Sequence, residues 1–281
     1  MELDKYVESM QDKSKNTVKT YISNYKRLRN HFKLDVVDIP IPELLAYINE
    51  QESGNTKNGF ITVAIQLRRL ANMDVSALID YRESVKSVLD HTNKKKNEEL
   101  QETLPSYGDL IVYTEKLFET GEYESFIINY LLINYNTRNL DLDMEIVTQL
   151  DDALDENTNY LVILPGSILY IRNRYKTVSS YGAKSHKITD DRFIFAVKKV
   201  YQGIKRRGAE DYINPFVPNK SSIGYRIQSL TYKKIGEGKY VKICLRHYRD
   251  DLDELKKISE NRGTSLMGLT NDYDIQLIDS D

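Results

Sequence analysis

The sequence predicts a mainly α chain with a small β-sheet, an α+β fold in two parts. Three observations carry this. Apolar residues recur at helical spacing through the first 95 residues. A polar stretch without apolar period, Lys94 to Thr103, interrupts the pattern before Pro105. Beyond it, helical segments enclose one pair of β-branched, alternating runs joined by Pro165-Gly166. The expected organisation is a helical domain over 1–95, a linker over 96–104 and a second domain over 105–281.

Composition sets the frame. The chain has 281 residues, 40% hydrophobic and 29% charged, as in ordinary globular proteins. No apolar run approaches the ~20 residues that span a bilayer, and Met1-Glu2-Leu3-Asp4-Lys5 lacks the basic and apolar regions of a signal peptide. A single cysteine, Cys244, excludes an internal disulfide framework and a cysteine-rich zinc site. The expectation is a protein of a reducing compartment, cytoplasm or nucleus, without membrane association.

The net charge of −2 does not advertise a nucleic-acid partner, but its distribution does. Lys13 to Lys33 holds Lys19, Lys26 and Arg27 among other cations and no acid. Arg172 to Lys187 is also acid-free and contains Lys176 and Lys184. Acids gather instead at 141–155, 250–254 and 272–281. Each basic run alone reads as a solvated face. Two of them in a near-neutral chain point to a segregated surface facing double-stranded DNA, with Lys19, Lys26, Arg27 and Lys184 as its contacts.

In order along the chain, Ser14 or Asn16 caps a helix through Asn16–Phe32, whose stripe is Val18, Tyr21, Ile22, Tyr25, Leu28 and Phe32. Pro40 and Pro42 precede a helix at about 43–51. Helices follow at about 57–71, with Phe60, Val63, Ala64, Leu67 and Leu70 inward, and at about 75–89. Pro105-Ser106-Tyr107 opens a helix to Glu119, and Tyr123–Tyr135 is a strongly apolar one. Strands are expected at 159–164 and 167–173, then a strand–turn–strand around Ser179-Ser180-Tyr181-Gly182. A helix at 190–203 buries Phe193, Phe195, Ala196, Val197 and Val200, and Ser221 or Ser222 caps another to about Lys234. Gly236-Glu237-Gly238 reads as a turn before Ile243-Cys244-Leu245-Arg246-His247-Tyr248, taken as the opening of an amphipathic helix.

Three ordered motifs resemble the tyrosine recombinase (phage integrase) family over most of the chain. Ser14-x-x-Thr17-x-x-x-Tyr21 is similar to a helix of its core-binding domain. Arg138-x-x-Asp141-Leu142, after a buried helix, resembles its first box, with Asp141 placed to hold the Arg138 guanidinium. Leu245-Arg246-His247, followed by Gly263 to Leu269, resembles its second. The Tyr- and Asn-rich, Trp-free composition is similar to divergent integrase-like proteins of large eukaryotic DNA viruses.

The resemblance implies DNA strand breaking and rejoining through a 3′-phosphotyrosyl intermediate, without metal or other cofactor. Arg138 and Arg246 would clamp the phosphate, with Asp141 and His247 in support. Lys176 matches the proton-donating lysine by position, and Lys184 competes with it. Tyr273 is the candidate nucleophile. The two domains would close on duplex DNA, and dimers or tetramers would assemble there.

Departures fall at the same boxes. Ile243 stands where a His or Lys is usual, and Leu269 stands where the family has a hydrogen-bond donor. The expected tyrosine position lands near Ile278, and Tyr273 is the only tyrosine after the second box's helix. Three alternatives follow: a DNA-binding protein of weakened activity on the same fold, a type IB topoisomerase-like enzyme, or a helical adaptor that binds protein.

Overall fold

The structure is a computed structural model. It describes residues 3–150, 155–206, 215–216 and 223–273. The chain divides into two compact units, Met1–Glu99 and Leu100–Asp281. It is mainly helical, with one four-stranded mixed sheet in the second unit.

The first unit is built from α1 (Leu3–Glu8), α2 (Lys15–Phe32), α3 (Ile41–Asn49), α4 (Gly54–Leu70) and the first part of α5 (Ser76–Thr103). Of the two candidate caps, Ser14 is the one used, and its hydroxyl accepts from Thr17 N. Ser53 caps α4 in the same way, so α4 begins three residues before its expected start. Tyr25 and Leu28 of α2 join Leu44, Ile48, Phe60, Val63, Ala64 and Leu67 in one core. Leu70, expected inward, is 46% exposed, and the buried position goes to Arg68, which donates to the Ile39 carbonyl. The polar stretch expected as a linker at 96–104 is helical through Thr103, because Asn, Lys, Glu and Gln are adequate helix formers when nothing breaks the run.

In the second unit, Ser106 and Asp109 form a reciprocal capping box at the start of α6 (Tyr107–Glu119). Next is α7 (Tyr123–Asn134), apolar on nearly every side because it is central: Phe126, Ile127, Ile128, Leu131 and Leu132 are all buried. Asn136 turns the chain with φ of 47°, and a 3-10 turn at Asn139–Leu142 follows.

The sheet contains β1 (Met144–Val147), β2 (Asn159–Leu164), β3 (Ser167–Arg172) and β4 (Lys184–Ile188), in that order. Strand β1 runs parallel to β2, and the other neighbours are antiparallel. The expected hairpin around Ser179-Ser180 is not a plain turn: a four-residue helix, α8 (Val178–Tyr181), lies in the β3–β4 connection.

Helix α9 (Asp191–Arg206) packs on α7 and on β2 and β3. Phe195 on it is 44% exposed, against expectation, while Phe193, Ala196 and Val197 are fully buried. A short α10 (Ile223–Ser229) gives way to a 3-10 turn at Tyr232–Lys234, so the helix expected to reach Lys234 is cut short. Lys233 and Lys234 both take left-handed φ there. The cap expected at Ser221 or Ser222 lies outside the described residues. The unit ends with α11 (Glu237–His247), α12 (Leu252–Arg262) and α13 (Leu266–Tyr273). Leu245-Arg246-His247 therefore closes α11 and does not open a helix.

Candidate nucleic-acid interface

The expected site residues separate into distinct places. On α2, Lys19, Ser23, Lys26 and Asn30 are all exposed, and their spacing of four, three and four places them on one helical face. No carboxylate interrupts this stripe. Arg27 sits beside it: its guanidinium lies 4.6 Å from the Phe60 ring and donates to Gln51 Oε1 at 3.4 Å.

In the second unit, cations converge on the C-terminal turn of α12. The last carbonyls of a helix have no intrahelical partner and carry the negative end of its dipole. Here consecutive carbonyls are taken by cationic side chains from three other segments. Lys184 Nζ donates to Glu260 O, Arg172 Nη1 to Asn261 O at 2.7 Å, and Arg138 Nη1 to Arg262 O. The next carbonyl, of Gly263, accepts from Thr177 Oγ1 at 2.7 Å. Gly263 has φ of +57°, and a Cβ there would lie 2.8 Å from Thr177 Oγ1 and 2.9 Å from Tyr175 Cε2. Glycine is required at this close approach.

Asp141 is fully buried and was expected to hold the Arg138 guanidinium. It does something else. Its Oδ2 accepts the backbone N–H of Arg138 at 2.9 Å and pairs with the guanidinium of Arg172. The difference is steric: Arg138 caps the 3-10 turn with extended backbone, which brings its N–H, and not its side chain, over the residue three positions on. The side chain of Arg138 is half-buried and reaches Thr177 Oγ1 at 3.5 Å as well as Arg262 O.

Of the two candidate lysines, Lys184 is the one at this cluster. Its ammonium lies 5.7 Å from the ring centroids of both Tyr175 and Tyr181. Burial lowers its pKa first, and Arg172 and Arg138 lower it further against the opposing pull of Glu260 and Asp141. Lys176, favoured by position in the sequence, is exposed in the β3–α8 connection. His186, two residues beyond Lys184 on β4, packs against Tyr135 and Tyr170. Burial, then Arg172 and Lys184, push its pKa down to about 4.

Arg246 and His247 belong to another contact. Glu237, the first residue of α11, accepts the N–H of Asn139 at 2.6 Å and pairs with Arg262 at 3.5 Å. That end of α11 is beside the Arg138 turn. Arg246 is nine residues further along, about 13.5 Å of helix rise, and donates to the Pro105 carbonyl at 3.2 Å. His247 stacks on Tyr107 with ring centroids 4.2 Å apart and planes at 2°. Both fasten α11 to the start of α6. Leu269 is fully buried in a core with Val241, Cys244, Leu245, Leu255 and Ile258, which explains why a polar donor is absent there. Tyr273 ends α13, and its side chain lies outside the described residues.

The sequence reading gave no site role to Arg172, Arg262, Tyr175 or Thr177, and none to Gly263 beyond its place in the second motif. Arg172 and Arg262 had a signal available, each being a cation at the end of an apolar-patterned element. Nothing local indicated that both are buried, at 0% and 3% exposure. Among the described residues no group of His, Cys, Asp and Glu could hold a metal ion, and no helix is long and apolar enough to cross a membrane.

No family model matches the chain, and no curated protein matches it. Among solved structures it is similar to one described as the crystal structure of XerA recombinase, with 16% identity and a TM-score of 0.35, over 99% of this chain and 94% of that one.

Proposed function

We propose that the chain binds duplex DNA and acts on it in the manner of a tyrosine recombinase, the second unit holding a backbone phosphate where Arg138 and Lys184 meet. The observation that supports this is their convergence on the C-terminal turn of α12, three residues before the helix that ends in Tyr273. A guanidinium and an ammonium there present fixed donors to charge developing on a phosphate. Lys184, with its lowered pKa, is the better proton donor to a leaving 5′-oxygen and replaces Lys176 in that role. Tyr273 is the nucleophile: its hydroxyl loses its proton to solvent and its oxygen bonds to phosphorus as the bond to the 5′-oxygen breaks, the leaving oxygen taking a proton from Lys184, which gives a 3′-phosphotyrosyl link and a 5′-hydroxyl. The α2 stripe adds phosphate contacts that carry no sequence information. Assembly of two or four protomers on DNA is part of this reading.

A second reading, DNA binding without cleavage, is favoured by one observation. The end of α11 next to the Arg138 turn carries a carboxylate, Glu237, while Arg246 lies at the other end. In this reading the Arg246 guanidinium stays on the Pro105 carbonyl, and Glu237 beside the Arg138 turn is occupied by Arg262 and the Asn139 N–H.

Both readings are tested by a titration of labelled duplex DNA at several salt concentrations. Arg138→Ala and Lys184→Met each remove one charge-assisted contact, worth ~1.5–3 kcal/mol, so each should weaken binding roughly 10- to 150-fold. Unchanged affinity in both folded variants would remove the site.

A further inference from the structure

Arg172 is the largest fully buried side chain among the described residues. It pairs with Asp141, donates to Asn261 O at 2.7 Å, and lies with its guanidinium carbon 5.1 Å from the Tyr175 ring centroid. Its Nε has no hydrogen-bond partner, and neither has Oδ1 of Asp141. Stability alone does not account for such a pair. Burying two charges costs several kcal/mol per ion, and the cost is offset only when the remaining donors and acceptors are satisfied. Here one on each side is not.

Each partner of Arg172, however, is one step from the phosphate-binding groups. Asp141 accepts the backbone N–H of Arg138. Asn261 precedes Arg262, whose carbonyl receives the Arg138 side chain. Tyr175 is the ring against which Gly263 is packed.

We propose that Arg172 is a positioning residue for DNA strand transfer. Through Asp141, Asn261 and Tyr175 it fixes the main chain of Arg138 and the C-terminal turn of α12, and so the origin of α13 and Tyr273. The inference rests on the reading under Proposed function. It also accounts for the choice of arginine. A planar fork with several donors can bond a carboxylate and a carbonyl while stacking on a ring, and a lysine ammonium cannot do all three.

The test uses the full chain and Arg172→Lys, which keeps the charge and loses the fork. DNA affinity and its salt slope should stay within about threefold of wild type, because Arg172 is fully buried. The rate of covalent adduct formation on a nicked suicide duplex, measured well below each protein's melting midpoint, should fall on the order of 10²-fold, the cost of a misplacement near 1 Å. A residue that merely stabilises the fold would leave that rate unchanged at such a temperature, and an unchanged rate overturns the proposal.

If the wild-type chain forms no adduct, the cleavage reading fails, and amide hydrogen exchange decides for Arg172 by itself. Exchange at Gly263 to Leu269 about tenfold faster in Arg172→Lys, with α7 unaltered, supports positioning; equal exchange overturns it. Should Arg172→Lys not fold, Tyr175→Leu removes the ring beneath the guanidinium and is held to the same outcomes.

Discussion

Replacing Gly263 with alanine tests the packing that brings the α12 turn to Arg138. Two costs add. At φ of +57° a Cβ meets the backbone, at about 1–2 kcal/mol. The same Cβ would stand 2.8 Å from Thr177 Oγ1 and 2.9 Å from Tyr175 Cε2. Neither neighbour is loose. The Thr177 hydroxyl is bonded to Gly263 O at 2.7 Å, and the Tyr175 hydroxyl donates to Gly182 O at 2.6 Å. Forcing such contacts typically costs ~1–3 kcal/mol. Reduced entropy of the unfolded chain returns ~0.4–1 kcal/mol, leaving a net loss of about 2–4 kcal/mol. For a unit of this size that lowers the melting midpoint by roughly 4–16 °C. Gly166→Ala is the control: its φ is +71°, but nothing lies within 4 Å of the added Cβ, so only the backbone cost applies. Equilibrium urea unfolding of both variants reads the difference. Should Gly263→Ala prove no more destabilising than Gly166→Ala, the close approach of α12 to the β3–α8 connection is refuted.

Other expectations follow from the same geometry. Lys19→Ala and Lys26→Ala should each reduce the slope of log affinity against log salt by about 0.9, equally for all DNA sequences; an unchanged slope in both would take α2 out of the interface. His186 has a folded pKa of about 4, below its unfolded value near 6.5. The unfolded state therefore binds the extra proton first, so stability is full above about pH 6.5 and falls as pH drops toward 4. Solvent screening limits the loss to on the order of 1 kcal/mol. His186→Phe should flatten this stretch of the pH–stability curve, and a curve identical to wild type would show that His186 is not the group responsible. Arg246 lies at the far end of α11 from the Arg138 turn, so Arg246→Ala should leave DNA affinity within about threefold of wild type; a drop as large as that of Arg138→Ala would restore Arg246 to the phosphate site.

Much of the fold was legible because it rests on local pattern. The cap at Ser14 or Asn16, the helix start at Pro105-Ser106-Tyr107, the apolar run of α7 and the Pro165-Gly166 turn are each set by neighbours in sequence. The site was less legible because it is made by distant segments. Asp141 is three residues from Arg138, yet the Arg172 guanidinium from β3 takes its carboxylate. Lys176 and Lys184 are equivalent as basic residues near a turn, and only the α8 insertion decides which of them returns toward α12. Leu245-Arg246-His247 looked like a helix start, but the capping position is Gly236, so the box sits one helix length from where its motif suggested. Strand β1 lay in an acidic stretch, and pairing with β2 buries Met144 and Ile146 in spite of the flanking charges.

The central claim is that this chain uses its cationic α12 site to cut DNA through Tyr273, and covalent capture tests it most directly. The full chain is incubated with a nicked suicide duplex carrying a site selected by its own binding, and the products are separated under denaturing conditions. The account predicts a protein–DNA adduct at a 3′-phosphate, mapped to Tyr273, absent in Tyr273→Phe and strongly reduced in Arg138→Ala, with DNA binding by Tyr273→Phe retained. Binding without any adduct from the wild-type chain would contradict cleavage and leave a DNA-binding protein on this architecture. An adduct that persists in Tyr273→Phe would place the nucleophile on another residue.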